Sequence, residues 1–388
     1  MQLQRVKLLV LLITLVALFT MITPASAAAS EADSQSTSSV DKNLPEKGIN
    51  YLSQWHWYNP TYTTDEILQR DFSRFKNDGI KYIRIPLYWY RLEGNTKGDF
   101  TSSIWYGNAF LDNIKRVINT ANKYGIETMV DIHTLWGSDS LWCTPDYVID
   151  PVTGSNDGLA VVRSQEMQNA FIDMFSHTVE YLKGTPGIWC WALNEPWYSP
   201  DTLPAPFDKI DQKENFITLF QRMEKIVKSS DGKPFTVCFP SVHSESQYVT
   251  DIFADNWNWD ERIFEILDFV TFTTYLPDNP SLLKDWQTIM GKNILGCNQK
   301  GTKVWIAEFG SKDADGNQGV EAYKIMLDYL LTLPVEGILP WMWRSDTSIN
   351  NPETPGTGYN ICANVTTGIG DKRYSMFLDE MAGHQSVP

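Results

Sequence analysis

The chain has 388 residues, room for two average domains or one large α/β barrel. Its 32 Lys and Arg against 47 Asp and Glu leave a net charge of −15, which repels phosphate and, with no basic cluster to offset it, argues against a nucleic-acid binder. A composition that is 43% hydrophobic and 13% aromatic carries too much apolar surface for a disordered chain.

Arg5 and Lys7 precede an apolar run from Leu8 to Ile22, and Ala25-Ser26-Ala27 follows it. Positive charge, apolar run and small residues in that order read as an export signal over residues 1–27. The run is 15 residues long, short of the about 20 that a spanning helix needs. The expectation is a secreted, extracellular monomer with no stable membrane span once the signal is cleaved. Residues 28–43, rich in Ser, Ala, Thr and Asp, read as a flexible leader, and 44–388 as one folded domain.

Within that domain a short β-branched or aromatic run, a loop and an amphipathic period recur in turn. The predicted strands are Gly48–Ser53, Lys81–Tyr88, Glu127–His133, Ile188–Asn194, Phe235–Phe239, Phe269–Tyr275, Lys303–Phe309 and Gly337–Trp343. Predicted helices are Thr64–Asn77, Phe110–Lys123, Gln165–Lys183, Glu214–Lys228 and Gly319–Leu331. Thr63-Thr64-Asp65-Glu66 has the form of a capping box, and Gly79, Gly125 and Gly232 mark helix ends. Eight strand-then-helix units predict a single (β/α)8 TIM barrel. An open doubly wound sheet would carry a glycine-rich turn after its first strand, and none is present.

Five cysteines make an odd count, so at least one is unpaired within the chain. Cys190 and Cys238 lie in strand-like runs and read as buried free thiols, whereas Cys143, Cys297 and Cys362 fall in loop-like sequence with room for one disulfide among them. No CxxC pair suggests zinc.

A barrel places its chemistry where strands end. Those positions hold Trp55-His56-Trp57-Tyr58, Arg84 to Trp89, Asp131-Ile132-His133 with Trp136, and Asn194-Glu195-Pro196-Trp197. Further round come Ser241 and His243, Thr273 and Tyr275, Glu308-Phe309-Gly310, and Trp341-Met342-Trp343-Arg344. Glu195 and Glu308 each follow an apolar strand run, on strands four and seven. Two carboxylates facing each other across a sugar ring, about 5–5.5 Å apart, are what retaining glycoside hydrolysis requires. Trp55, Trp57, Trp89, Trp136, Trp142, Trp197, Trp257 and Trp259 fall in loops or at strand ends, as an aromatic rim for a polysaccharide would need.

Arg84 in Tyr-Ile-Arg-Ile-Pro, His133 in Asp-Ile-His, Asn194-Glu195-Pro196, Tyr275, Glu308-Phe-Gly and Trp343, in that order on those strands, resemble glycoside hydrolase family 5. The resemblance implies Glu195 as acid/base and Glu308 as nucleophile. It implies that Asn194 binds the sugar 2-hydroxyl, that Arg84 and Tyr275 keep the nucleophile ionised, that His133 supports them, and that Trp343 is a stacking floor. It implies no cofactor and no metal, and a β-linked polysaccharide or oligosaccharide as substrate. Thr273 departs from the family pattern, which usually has histidine two residues before the strand-six tyrosine.

The activity expected is an endo-β-1,4-glucanase of the cellulase type. Asp268 to Tyr275 look more like a β-1,4-mannanase, and a non-catalytic carbohydrate-binding protein on the same barrel is a further alternative. A metal-dependent barrel hydrolase is disfavoured by only five histidines and no HxH.

Overall fold

In the computed structural model the residues described are 44–51, 63–101, 106–133, 144–196, 203–242, 261–275, 283–311, 317–343, 361–364 and 368–383. The expected signal and leader, the aromatic run 55–58, Trp136, Trp142, Cys143, Trp197, His243, Trp257, Trp259 and Arg344 lie outside them.

Eight apolar runs form parallel strands: β1 Glu46–Asn50, β2 Tyr82–Tyr88, β3 Glu127–His133, β4 Ile188–Asn194, β5 Phe235–Val242, β6 Val270–Tyr275, β7 Val304–Gly310 and β8 Gly337–Pro340. They pair in chain order, and β8 returns to β1 through Glu46↔Gly337, which closes the barrel. The (β/α)8 expectation therefore holds. Helices cover the outside: α1 Asp65–Asn77, α2 Trp89–Glu93, α3 Gly107–Lys123, α4 Ala160–Arg163, α5 Gln165–Leu182, α6 Gln212–Ser230, α7 Ile263–Ile266, α8 Leu283–Gln299, α9 Asn317–Leu331 and α10 Lys372–Gly383.

Side-chain alternation along the strands sorts the core into two regions. Ile83, Ile85, Val130, Ile132, Trp191, Leu193, Val237 and Phe239 point outward and pack with helix residues such as Phe72, Ile114 and Phe171. Met129, Cys190, Ala192, Cys238, Trp305, Ala307 and Leu339 point inward and fill the barrel. The amphipathic periods explain the outer layer. In α1, Leu68, Phe72 and Phe75 share one buried face, and in α3 Phe110, Ile114, Val117 and Ala121 do the same.

Local details correct several expectations. The N-cap of α1 is Thr64, one residue later than the capping-box reading, and its side chain accepts from the Ile67 amide at 3.4 Å. The period that buries Trp286, Met290, Ile294 and Cys297 is the helix α8, which the sequence reading left unassigned. Cys297 is consequently a buried free thiol within a helix rather than a loop cysteine available for a disulfide. Cys190 and Cys238 are buried and free, as expected. Gly79, Gly125 and Gly232 follow their helices with φ of 74°, 76° and 68°, the left-handed conformation that lets the chain reverse. Among the described residues no helix is long and apolar enough to cross a membrane.

Aromatic side chains close the N-terminal end of the barrel. Trp305 lies 4.4 Å from Trp189 and 4.9 Å from Tyr82, centroid to centroid. Gly337 passes so close to the Trp305 ring that a Cβ there would overlap it. Gly337→Ala should therefore destabilise the protein by about 3 kcal/mol, the upper end of ordinary overpacking, because the ring is held on two sides and cannot swing away. Urea unfolding of the variant beside the parent measures this.

Candidate active site

Alternation on β2 sends Ile83 and Ile85 outward and Arg84 inward, where the side chain is fully buried. A guanidinium without water needs several acceptors to remain there. Nη1 donates to Glu308 Oε1 and, at 2.8 Å, to Asn50 Oδ1. Nη2 donates to Asp131 Oδ2 at 2.7 Å and to Asn194 Oδ1. Asn50 is itself fixed, since its amide donates to the Ala307 carbonyl at 2.7 Å. Burial opposes the charge of Arg84, but Asp131 and Glu308 outweigh it and hold the group protonated.

The two glutamates turn into the interior through breaks in strand regularity. On β7 the register slips between Ile306 and Phe309, so Ala307 and Glu308 both face the interior although they are adjacent in sequence. Glu308 Oε2 then accepts from the Tyr275 hydroxyl at 2.7 Å. At the end of β4, Glu195 has φ of 40°, the one non-glycine positive φ among the described residues. That left-handed turn lets Glu195 follow Asn194 toward the site instead of alternating outward. Its amide donates to the Cys238 carbonyl at 2.8 Å, and Oε1 accepts from Thr273 Oγ1. Both carboxylates are nearly buried, at 3% exposure for Glu195 and 4% for Glu308.

Asn194 uses both ends of its amide. Oδ1 accepts from Arg84 while Nδ2 donates to His133 Nε2 at 2.9 Å. Burial, helped by the Arg84 charge, pushes His133 down to about 3, so the ring is neutral and able to accept. It stacks on Tyr88 with centroids 5.0 Å apart.

Burial acts oppositely on the acids. Glu308 is lifted to about 7 by burial and by the Glu195 charge, against the pull of Arg84 and Tyr275. Asp131 is lifted to about 6, again chiefly by burial, with Arg84 opposing. Arg84 and Tyr275 therefore do not hold Glu308 in the ordinary carboxylate range, because desolvation is the larger effect. That the Glu195 charge acts on Glu308 places the two carboxylates within electrostatic reach of each other. Among the described residues no group of three or more His, Cys, Asp and Glu is arranged to hold a metal ion.

The model of the cellulase family, glycosyl hydrolase family 5, matches residues 38–347. The chain belongs to glycosyl hydrolase family 5. It is thus a glycoside hydrolase with a carbohydrate substrate. The hyperthermostable endo-1,4-β-D-mannanase of Thermotoga petrophila RKU-1 is 16% identical with a TM-score of 0.60, over 88% of this chain and 99% of that one. A GH5_18 structure from Bifidobacterium longum subsp. longum in complex with Manβ1-4GlcNAc is 12% identical with a TM-score of 0.61, over 88% and 79%. XacCel5A in complex with cellopentaose is 16% identical with a TM-score of 0.55, over 87% and 99%. At such identities the likeness is one of fold. Comparison with curated proteins finds no match.

Of the residues read from the family pattern, the structure brings Arg84, His133, Asn194, Tyr275 and Glu308 into one hydrogen-bonded cluster. Glu195 stands beside it, bonded to Thr273, with its charge acting on Glu308. The structure does not bring Trp343 there. That ring is fully buried, 4.8 Å from Phe75 and 4.9 Å from Tyr374, with no face open as a floor. β8 ends at Pro340, earlier than expected, so alternation no longer governs position 343. Trp341, at the end of that strand, instead lies over the Arg84 guanidinium at 5.8 Å. Trp89 also leaves the supposed sugar-binding rim: it is buried in α2, where its indole N–H donates to Glu93 at 2.6 Å.

Asn50 and Asp131 also bond Arg84; the strand-three motif contains Asp131 but gives it no role, and Asn50 stands outside every motif. Asp131 was legible, since it is two residues before His133 and shares its strand face. Asn50 had only its position at the end of β1 to mark it.

Arg84→Met should cost about 3–5 kcal/mol at pH 8, because Asp131 and Glu308 would be left charged in the interior. Acids whose folded pKa is raised favour the native state at low pH, and that contribution is lost as pH rises through the folded values, here from about 6 and 7 upward once the cation is gone. The variant's deficit should therefore shrink at pH 5, which urea unfolding at the two pH values would measure.

Proposed function

We propose that this family 5 enzyme is an exported, retaining endo-β-1,4-glucanase. The observation that carries the reading is that Glu195 and Glu308, from β4 and β7, both turn into the interior, each held by a different β6 hydroxyl, Thr273 and Tyr275. In a double displacement, Glu308 attacks the anomeric carbon while Glu195 gives its proton to the departing glycosidic oxygen. Glu195, now ionised, then takes a proton from water as that water attacks the same carbon and releases Glu308. Retention follows from two inversions at one centre.

Arg84 and Tyr275 hold the two oxygens of Glu308, which orients the attacking carboxylate and disperses the charge returned to it at the end of the cycle. Asn194, fixed between Arg84 and His133, stands directly before the acid/base, where an amide can bond a sugar 2-hydroxyl. Trp341, rather than Trp343, is the tryptophan that meets the Arg84 guanidinium, and it takes the stacking role. Retention of both carboxylates and of their donors favours turnover over a purely binding role.

A β-1,4-glucan is preferred for the strand-two and strand-three sequences, Tyr82 to Pro86 and Asp131 to His133. A β-1,4-mannan is the second reading, favoured by Asp268 to Tyr275 and by the mannanase among the similar folds. Export rests on the charge, apolar run and small residues of the first 27 positions.

Reducing-sugar release from carboxymethyl cellulose beside galactomannan separates the two substrates, and release from mannan alone would overturn the first. Early products should be β-anomers by NMR. Glu308→Ala should lower kcat about 10⁴-fold or more, since no attacking group remains. Glu195→Ala should lose about 10²–10⁴-fold on poor leaving groups and far less on activated aryl glycosides.

The pH profile is a separate check. Attack requires ionised Glu308, whose folded value stands at about 7, so kcat/KM should fall as pH drops below about 7. A profile flat down to pH 5 would contradict the assignment.

A further inference from the structure

Thr273 occupies an inward position of β6, with 1% exposure. Three inward residues in succession on this strand do different things. Thr271 donates to the Val237 carbonyl at 3.1 Å and lies 2.8 Å from Cys238 Sγ, which ties β6 to β5 in the barrel interior. Tyr275 donates to Glu308. Between them, Thr273 is the ladder partner of Glu308 yet sends its hydroxyl to Glu195 Oε1. On the outer face Thr274 accepts from the Trp286 indole at 2.7 Å, which pins the strand against α8.

We propose that Thr273 is a positioning residue for proton transfer. It anchors Oε1 of Glu195, so that the proton is carried on the other oxygen and aimed at the glycosidic bond. This rests on the reading of Glu195 as acid/base. The terminal torsion of a glutamate is broad and roughly two-fold, so a hydroxyl bonded to one oxygen biases which of the two faces the substrate. A hydroxyl suits the task in both halves of the cycle. It donates to Oε1 when Glu195 is ionised, and equally when the proton sits on Oε2 and Oε1 is carbonyl-like. The β-branch of threonine limits χ1, which keeps the hydroxyl aimed.

The test uses the full-length enzyme with Thr273→Val, which keeps shape and removes the hydroxyl, and Thr273→Ser, which keeps the hydroxyl. Substrates are aryl β-glycosides of the sugar that the enzyme cleaves, with leaving groups of graded acidity. For Thr273→Val, kcat/KM should fall about 10- to 100-fold on the poorest leaving group and less than about threefold on the best. Thr273→Ser should recover most of the loss. If urea unfolding shows that the valine variant is not folded, Thr273→Ala replaces it.

An equal loss across all leaving groups, or a serine variant as impaired as the valine one, would overturn the positioning role. If Glu195→Ala still steepens the leaving-group dependence in that case, the hydrolytic assignment stands without it. If Glu195→Ala shows no such dependence, the acid/base reading fails and the role of Thr273 falls with it.

Discussion

The site is organised around a cation that water cannot reach. Arg84 bonds side chains from four other strands: Asn50 of β1, Asp131 of β3, Asn194 of β4 and Glu308 of β7. A guanidinium presents its donors in a rigid plane, so its partners must come to fixed places around it. Asn50 passes that constraint on to the Ala307 carbonyl, beside Glu308. The geometry of the cluster and the closure of the barrel at this end are thus one set of hydrogen bonds.

Regular strands alone would not turn both Glu195 and Glu308 into the barrel's interior. Asn194 and Glu195 are adjacent, as are Ala307 and Glu308, and in an unbroken strand only one of each pair would face inward. The positive φ of Glu195 and the register slip on β7 remove that restriction on opposite sides of the site. Further register shifts, at Thr128/Met129 and Pro240/Val242, interrupt the barrel elsewhere, so broken alternation is a recurrent feature of these strands that the two glutamates share.

Desolvation then shifts the ionisable groups of the cluster. The same burial that drives His133 to a neutral ring lifts Asp131 and Glu308 toward neutrality. One cation shared by two acids cannot offset the loss of water for both, and the neighbouring Glu195 adds like charge. A neutral His133 can accept from Asn194, which a protonated ring could not do, so the fixing of that amide also depends on burial.

The sequence by itself determined the barrel, because periods of two and of 3.6 residues alternate along the chain and local patterning suffices to define them. It also singled out the two glutamates as candidates, through the short motifs around them at strand ends. Helix α8 carries the same periodic signal in Trp286, Met290, Ile294 and Cys297. Other features were settled only by tertiary structure. Whether Trp341 or Trp343 meets the site depends on where β8 stops, and alternation ceases to predict once a strand has ended. The partner of Thr273, the enlistment of Asn50, and the balance between Arg84 and burial at Glu308 all depend on residues distant in the chain. Such distances and the exclusion of water exist only once the barrel has closed.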